Sequence, residues 1–180
     1  MSDIRKKLLN AFVEEINNDE QISDASLFDA DELGIEASVA RCAINELGFD
    51  LMTVLGEFFF LPYEKEEMLY FSAVITIADE YDKSVLKDLE AAVSRINSFL
   101  PVGAFSTGPD GKTLVYRYTI PVPGDMKQKD QLSLMLTASD DAISVSDIYM
   151  GYLLLVMAGD LNPEEMMDSV LNRTDEEPEE

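Results

Sequence analysis

The chain has 180 residues, 47% of them apolar and 9% aromatic, enough for one domain with a sizeable core. Thirteen Lys and Arg stand against 36 Asp and Glu, a formal charge of −23 at pH 7, and such a surface repels nucleic-acid phosphates and anionic lipid headgroups alike. Histidine is absent, which excludes imidazole-activated nucleophiles and His-containing zinc sites; the lone Cys42 excludes an intrachain disulfide and a multi-thiolate metal site.

The first predicted element is a helix from Ser2 to about Asn18, because Ile4, Leu8, Phe12 and Ile16 recur at i+4 with Leu9 and Val13 beside them. Positions 19–36 carry seven carboxylates and no Lys or Arg, and read as a short helical connector docked through Leu27, Phe28 and Leu33. A second helix is predicted over Glu36–Leu47, stopped by Gly48, with Cys42 as a small buried hydrophobe among Val39, Ala40, Ala43 and Ile44. The period then shortens. Leu51–Leu61 is rich in Val, Thr and Phe, with Gly56 as a turn or bulge and Pro62 as its end. Met68–Ala78 alternates cleanly, Leu69, Phe71, Ala73, Ile75 and Ile77 against Tyr70, Ser72, Val74 and Thr76.

Helical spacing returns over Ser84–Phe99, where Val85, Leu86, Leu89, Val93 and Ile96 form a stripe. Two strands follow, Ala104–Thr107 and Thr113–Val122, joined by the turn residues Gly108-Pro109-Asp110-Gly111. Leu114, Tyr116, Tyr118 and Ile120 share a face of the second. Met126–Ser139 fits either period. A long apolar helix is predicted over Ala142–Ala158, and a short last one opens with Asn162 as N-cap, Pro163 at N1 and Glu165 at N3. Strands paired as local hairpins point to an α+β layer, an antiparallel sheet flanked by helices.

This order resembles the YbjN-like bacterial family, whose members adopt a type III secretion chaperone-like fold. The strand Met68-Leu69-Tyr70-Phe71-Ser72-Ala73-Val74-Ile75, the helix Val85–Leu100 with Asn97 and Pro101 near its end, the strand Leu114–Ile120 and the long helix after it carry the resemblance, which spans about Ala37–Leu171. It implies a sheet flanked by helices, frequent dimerisation, and binding or regulation without enzymatic activity; it supplies no site residues. On it the chain divides into an acidic helical extension (1–35), an α+β domain (36–171) and a disordered acidic tail (172–180). The acidic N-terminal segment and the stretch around Met126–Asp141 depart from the family pattern.

Among motifs, Asp29-Ala30-Asp31-Glu32-Leu33-Gly34 superficially suggests a calcium loop, but Leu33 and Ala40 fall where the fifth and twelfth positions need oxygen ligands. Asp160–Glu165 is explained by helix capping. No glycine-rich phosphate loop is present, and no cofactor or metal is expected. The interaction signals are a helix apolar almost all round (Ile148–Met157), a Met-rich C-terminal third, and the run Phe58-Phe59-Phe60, which cannot lie on one side of a strand. Phe58, Phe60, Met150, Tyr152 and Met157 are the candidate partner-binding residues.

The expected function is a non-enzymatic binding or regulatory module, chaperone-like and dimeric, that takes a protein segment through an apolar face, with an acidic rim favouring basic partners. An acidic inhibitor of a basic enzyme and a carboxylate-dependent hydrolase are the alternatives. No export signal is visible, because Asn10, Glu14 and Glu15 interrupt the N-terminal apolar stretch, and the run Ile148–Gly159 falls short of the roughly 20 residues of a spanning helix. A cytoplasmic address is the expectation.

Overall fold

Period-two alternation builds the centre of the structure, a computed structural model that describes residues 2–63, 67–108 and 111–173. The elements are α1 (Ser2–Ile16), β1 (Ile22–Phe28), α2 (Ala30–Leu33), β2 (Val39–Leu47), β3 (Met52–Phe60), β4 (Met68–Ala78), a 3-10 turn (Lys83–Val85) leading into α3 (Leu86–Asn97), β5 (Ala104–Thr107), β6 (Leu114–Pro123), α4 (Gln128–Ala158) and α5 (Pro163–Arg173). Among the described residues the strands form one antiparallel sheet, ordered β1-β2-β3-β4-β6-β5. The α+β architecture read from the sequence is the one observed.

The helices lie on one side of that sheet. From β4, Leu69, Phe71, Ala73, Ile75 and Ile77 point into the core, joined by Leu114, Tyr116 and Val122 of β6. Leu8, Leu9, Phe12 and Ile16 of α1 and Met135, Ala138, Ala142, Met150 and Leu153 of α4 cover them. Phe12 sits between Phe58 and Phe71, ring centroids 5.0 and 5.4 Å away. Burying each such side chain contributes about 1.5–3 kcal/mol, and aromatic pairing adds about 0.5–1.5 more.

Several expectations are corrected. Residues 39–47 form a strand instead of a helix. Ala40, Cys42 and Ile44 enter the core while Arg41, Ala43 and Asn45 alternate outward, and ladder partners on both edges override the helix propensity of Ala, Arg and Glu. The acidic connector contains β1, which pairs with β2, and a one-turn helix, α2. Residues 2–35 are therefore integral to the fold and no domain boundary falls at 35/36, because β1 completes the sheet and α1 covers it. Gly56 makes no turn. It lies inside β3 opposite Cys42, where a Cβ would come 2.8 Å from Ile44 Cδ1.

Residues 128–158 are one continuous 31-residue helix, so the ambiguous stretch is helical. Its length and composition suffice to cross a membrane, unlike the shorter run read from the sequence, yet half of its most apolar window is buried inside the fold. It also carries Asp140, Asp141 and Asp147 in its middle. Asn162 accepts from the N–H groups of Glu164 and Glu165, and Glu165 accepts from the Asn162 N–H, the reciprocal cap expected there. Asp29 and Glu32 form a similar capping box on α2. In the β5–β6 connection, Gly111 has φ 63° and its N–H donates to the Gly108 carbonyl, while Pro109, Asp110 and the tail from residue 174 lie outside the described residues.

If α1 is a structural element, Phe12→Ala should cost about 3–5 kcal/mol in chemical denaturation, the range for deleting a buried aromatic. A loss below about 1 kcal/mol, within the range of surface changes, would mean that α1 is a detachable extension.

Candidate functional site: the open face of the sheet

Because every core helix packs on one side, the other side of the sheet is defined by ladder register. The row Phe28, Val39, Phe59, Ser72, Thr119 crosses it from β1 to β6. The next row is Ser26, Arg41, Glu57, Val74, Arg117, Ala104, and the next is Ser23, Ala43, Leu55, Thr76, Val115, Ser106. Val39 and Val74 are buried yet stand outside the helix-side core, since their neighbours on this face shield them. Leu55 is 41% exposed.

The face has two unlike halves. Over β1–β3 it is apolar, with two shallow depressions of about 380 and 370 Å³ on either side of Arg41. Phe28, Ala43 and Leu55 line one; Val39, Phe59 and Pro62 line the other. Arg41 forms the ridge between them. Its Nε donates to Glu57 Oε1 at 2.9 Å, and its guanidinium lies 5.5 Å from the centre of the Phe28 ring. Over β4–β6 the side chains are small or hydroxylated. Ser72 and Thr119 hydrogen-bond at 3.0 Å, and Arg117 stands exposed among them.

Charge is distributed unevenly. Among the described side chains in register on this face, Glu57 is the one carboxylate, already paired with Arg41, while Arg41 and Arg117 are both cations. Asp24, in the β1 bulge, and Glu36 stand at the rim of the two depressions. A chain of net charge −23 thus carries a face that is close to neutral, with two cations against one carboxylate in register and two at the rim.

The sheet edges are less accessible than its face. At the β5 edge, Asn97 of α3 donates to the Phe105 carbonyl and accepts from the Phe105 N–H, both at 2.9 Å, taking the place of a neighbouring strand. Just before β5, Gly103 has φ 64°, and a Cβ there would fall 2.2 Å from Tyr116 Oη, so the strand fits tightly on β6. At the other edge β1 is bulged between Ser23 and Ser26, Asp24 adopts φ 56°, and Asn17 donates to the Ala25 carbonyl.

The residues nominated from sequence fall elsewhere. Phe58, Phe60, Met150 and Tyr152 are buried among the helices, and Met157 is partly buried against the same core. Phe59, between two core phenylalanines, is the member of the run that reaches the open face. Strand parity was the signal for this, but it needed one strand face fixed first. The same parity would have exposed Leu55, Glu57 and, once β2 is taken as a strand, Arg41.

Among the described residues, ionisable groups elsewhere form no second centre. Burial pushes the Cys42 thiol up to about 12, so it is protonated at neutral pH. Partial burial, then the carboxylates of Asp19 and Asp141, hold Asp140 above the usual carboxylate range. Among the described residues no group of three or more His, Cys, Asp or Glu is set to hold a metal ion. No protein-family model matches the chain, and no curated protein matches its sequence.

Removing the Asn97 amide tests the edge. Asn97→Ala should cost about 1–3 kcal/mol for the two unpaired backbone groups, and should raise self-association measured by sedimentation. Asn97→Asp, which keeps the acceptor but sets a carboxylate oxygen against the Phe105 carbonyl, should not restore the stability. Unchanged stability and association in Asn97→Ala would show that the amide does not guard the strand.

Proposed function

We propose that the protein is a non-enzymatic, cytoplasmic binding module that receives a segment of another protein on the open face of its sheet. The observation that carries this reading is the one-sided packing: an apolar, nearly uncharged sheet face left uncovered on a chain of otherwise extreme acidity. An antiparallel sheet commonly leaves one face in water, and that face is then usually polar. Here Phe28, Leu55, Phe59 and Tyr70 lie on it instead, and a patch of this kind marks an interaction surface.

Composition supports the same reading from the chemical side. Without histidine, and with its one thiol buried, the chain lacks the usual nucleophile and base pairs. The acidic remainder of the surface repels nucleic acid and anionic membrane. The resemblance to the YbjN-like family, with its chaperone-like fold, points in the same direction as binding without catalysis.

A photo-crosslinking amino acid at Leu55 or Phe59, compared with the same group at Glu90 on the exposed side of α3, tests the face in the native cell. The expected result is discrete protein adducts from positions 55 and 59 and none from 90. Equal adduct patterns from all three positions would contradict a binding role for the sheet face.

A further inference from the structure

Resting on that reading of the sheet face, we infer that the segment it receives pairs an apolar anchor with a carboxylate, and that Arg117 is the residue that reads the carboxylate. The two halves of the face make different demands. Over β1–β3 the depressions beside Arg41 offer apolar walls, from Phe28, Leu55 and Phe59, and the Arg41 guanidinium is already occupied by Glu57. Over β4–β6, beyond Tyr70 at the start of β4, the floor is smooth: Ser72, Val74, Thr76, Thr119 and Val115 leave little to grip except one charge.

That charge is Arg117. It is exposed in mid-strand, with Val74 and Ala104 as its ladder neighbours, and its side chain has no hydrogen bond or ion pair among the described residues. Carboxylates outnumber cations almost three to one in this chain, yet none on the face reaches Arg117; Glu57, the one in register there, lies two strands away on Arg41. A planar guanidinium with free donors in a fixed fork fits a carboxylate in bidentate fashion. Apolar contact alone would leave this cation desolvated and unpaired when covered, so the occupant that fits brings its own acid.

Spacing follows from the ladder. Arg41 and Arg117 are separated by three strand spacings, about 14 Å. An extended segment crossing the strands covers that distance in about four residues. The motif is an apolar residue with Asp or Glu about four positions away. This local preference runs opposite to the basic partner suggested by the net charge.

The test uses an array of synthetic 12-residue peptides with capped ends, each holding a Leu or Phe pair and a single Glu, Gln or Lys at varied distance. Full-length protein is the probe. The expected result is retention of apolar peptides with Glu favoured over Gln by about fivefold, the scale of a partly covered ion pair. Arg117→Gln should abolish that preference while keeping the apolar selection, and Arg117→Glu should redirect it to Lys; circular dichroism verifies that both variants fold. Apolar retention blind to charge, or favouring Lys in the unaltered protein, would overturn this inference and leave the binding face itself standing. Retention of no peptide class, together with absent crosslinks at Leu55, would remove both. A concentration-dependent dimer in sedimentation that Leu55→Asp disperses would put a second copy on the face and likewise overturn it.

Discussion

The packing of Phe12 between Phe58 and Phe71 fixes which side of the sheet is the inside. Once α1 is held there, α4 packs beside it across β4 and β6, and α3 and α5 close the same layer. Every strand then has an assigned parity. A one-residue slip would exchange the core set of β3, Val54, Phe58 and Phe60, for Leu55, Glu57 and Phe59, placing a carboxylate in the core. The character of the open face is thus a consequence of the aromatic packing on the opposite one.

Electrostatics follows from the same arrangement. Helix surfaces, loops and turns carry the carboxylates, where water screens them. The open face keeps Glu57 alone in register, tied to Arg41, and this neutral ground is where another chain can approach an acidic protein with least repulsion. The edges do not compete for that role. A bulge interrupts β1, and Asn97 occupies the hydrogen-bonding groups of Phe105. What the fold offers a partner is side-chain contact on the sheet, with the backbone ladder interrupted at β1 and occupied at Phe105 of β5.

Where periodicity was strong in the sequence it was enough. The strand Met68–Ala78, the β5–β6 pair, the stripe of α3 and the Asn162 cap are all where their patterns placed them. β2 was missed because small apolar residues occupy both parities of Val39–Ile44, so the alternation was masked and helix propensity filled the gap. β1 was hidden by its bulge, which breaks the alternation at Asp24 and Ala25. The start of α4 read as either period until burial of Gln131, Met135, Ala138 and Ala142 resolved it as one helical face. The site suffered from a related ambiguity. Hydrophobicity nominated Phe58, Phe60 and Met150, which the core consumes, while the less conspicuous Phe59, Arg41 and Arg117 were left to the surface.

Cysteine accessibility tests the central claim most directly, because Cys42 is buried with its thiol raised to about 12, giving a silent background. Leu55→Cys and Glu90→Cys variants would be labelled with N-ethylmaleimide, first as purified protein and then in the native cell. Rapid labelling is expected at both positions in the purified protein, with selective protection of position 55 in the cell. Equal labelling of the two positions in both settings would mean that the open face meets water alone, and would contradict it.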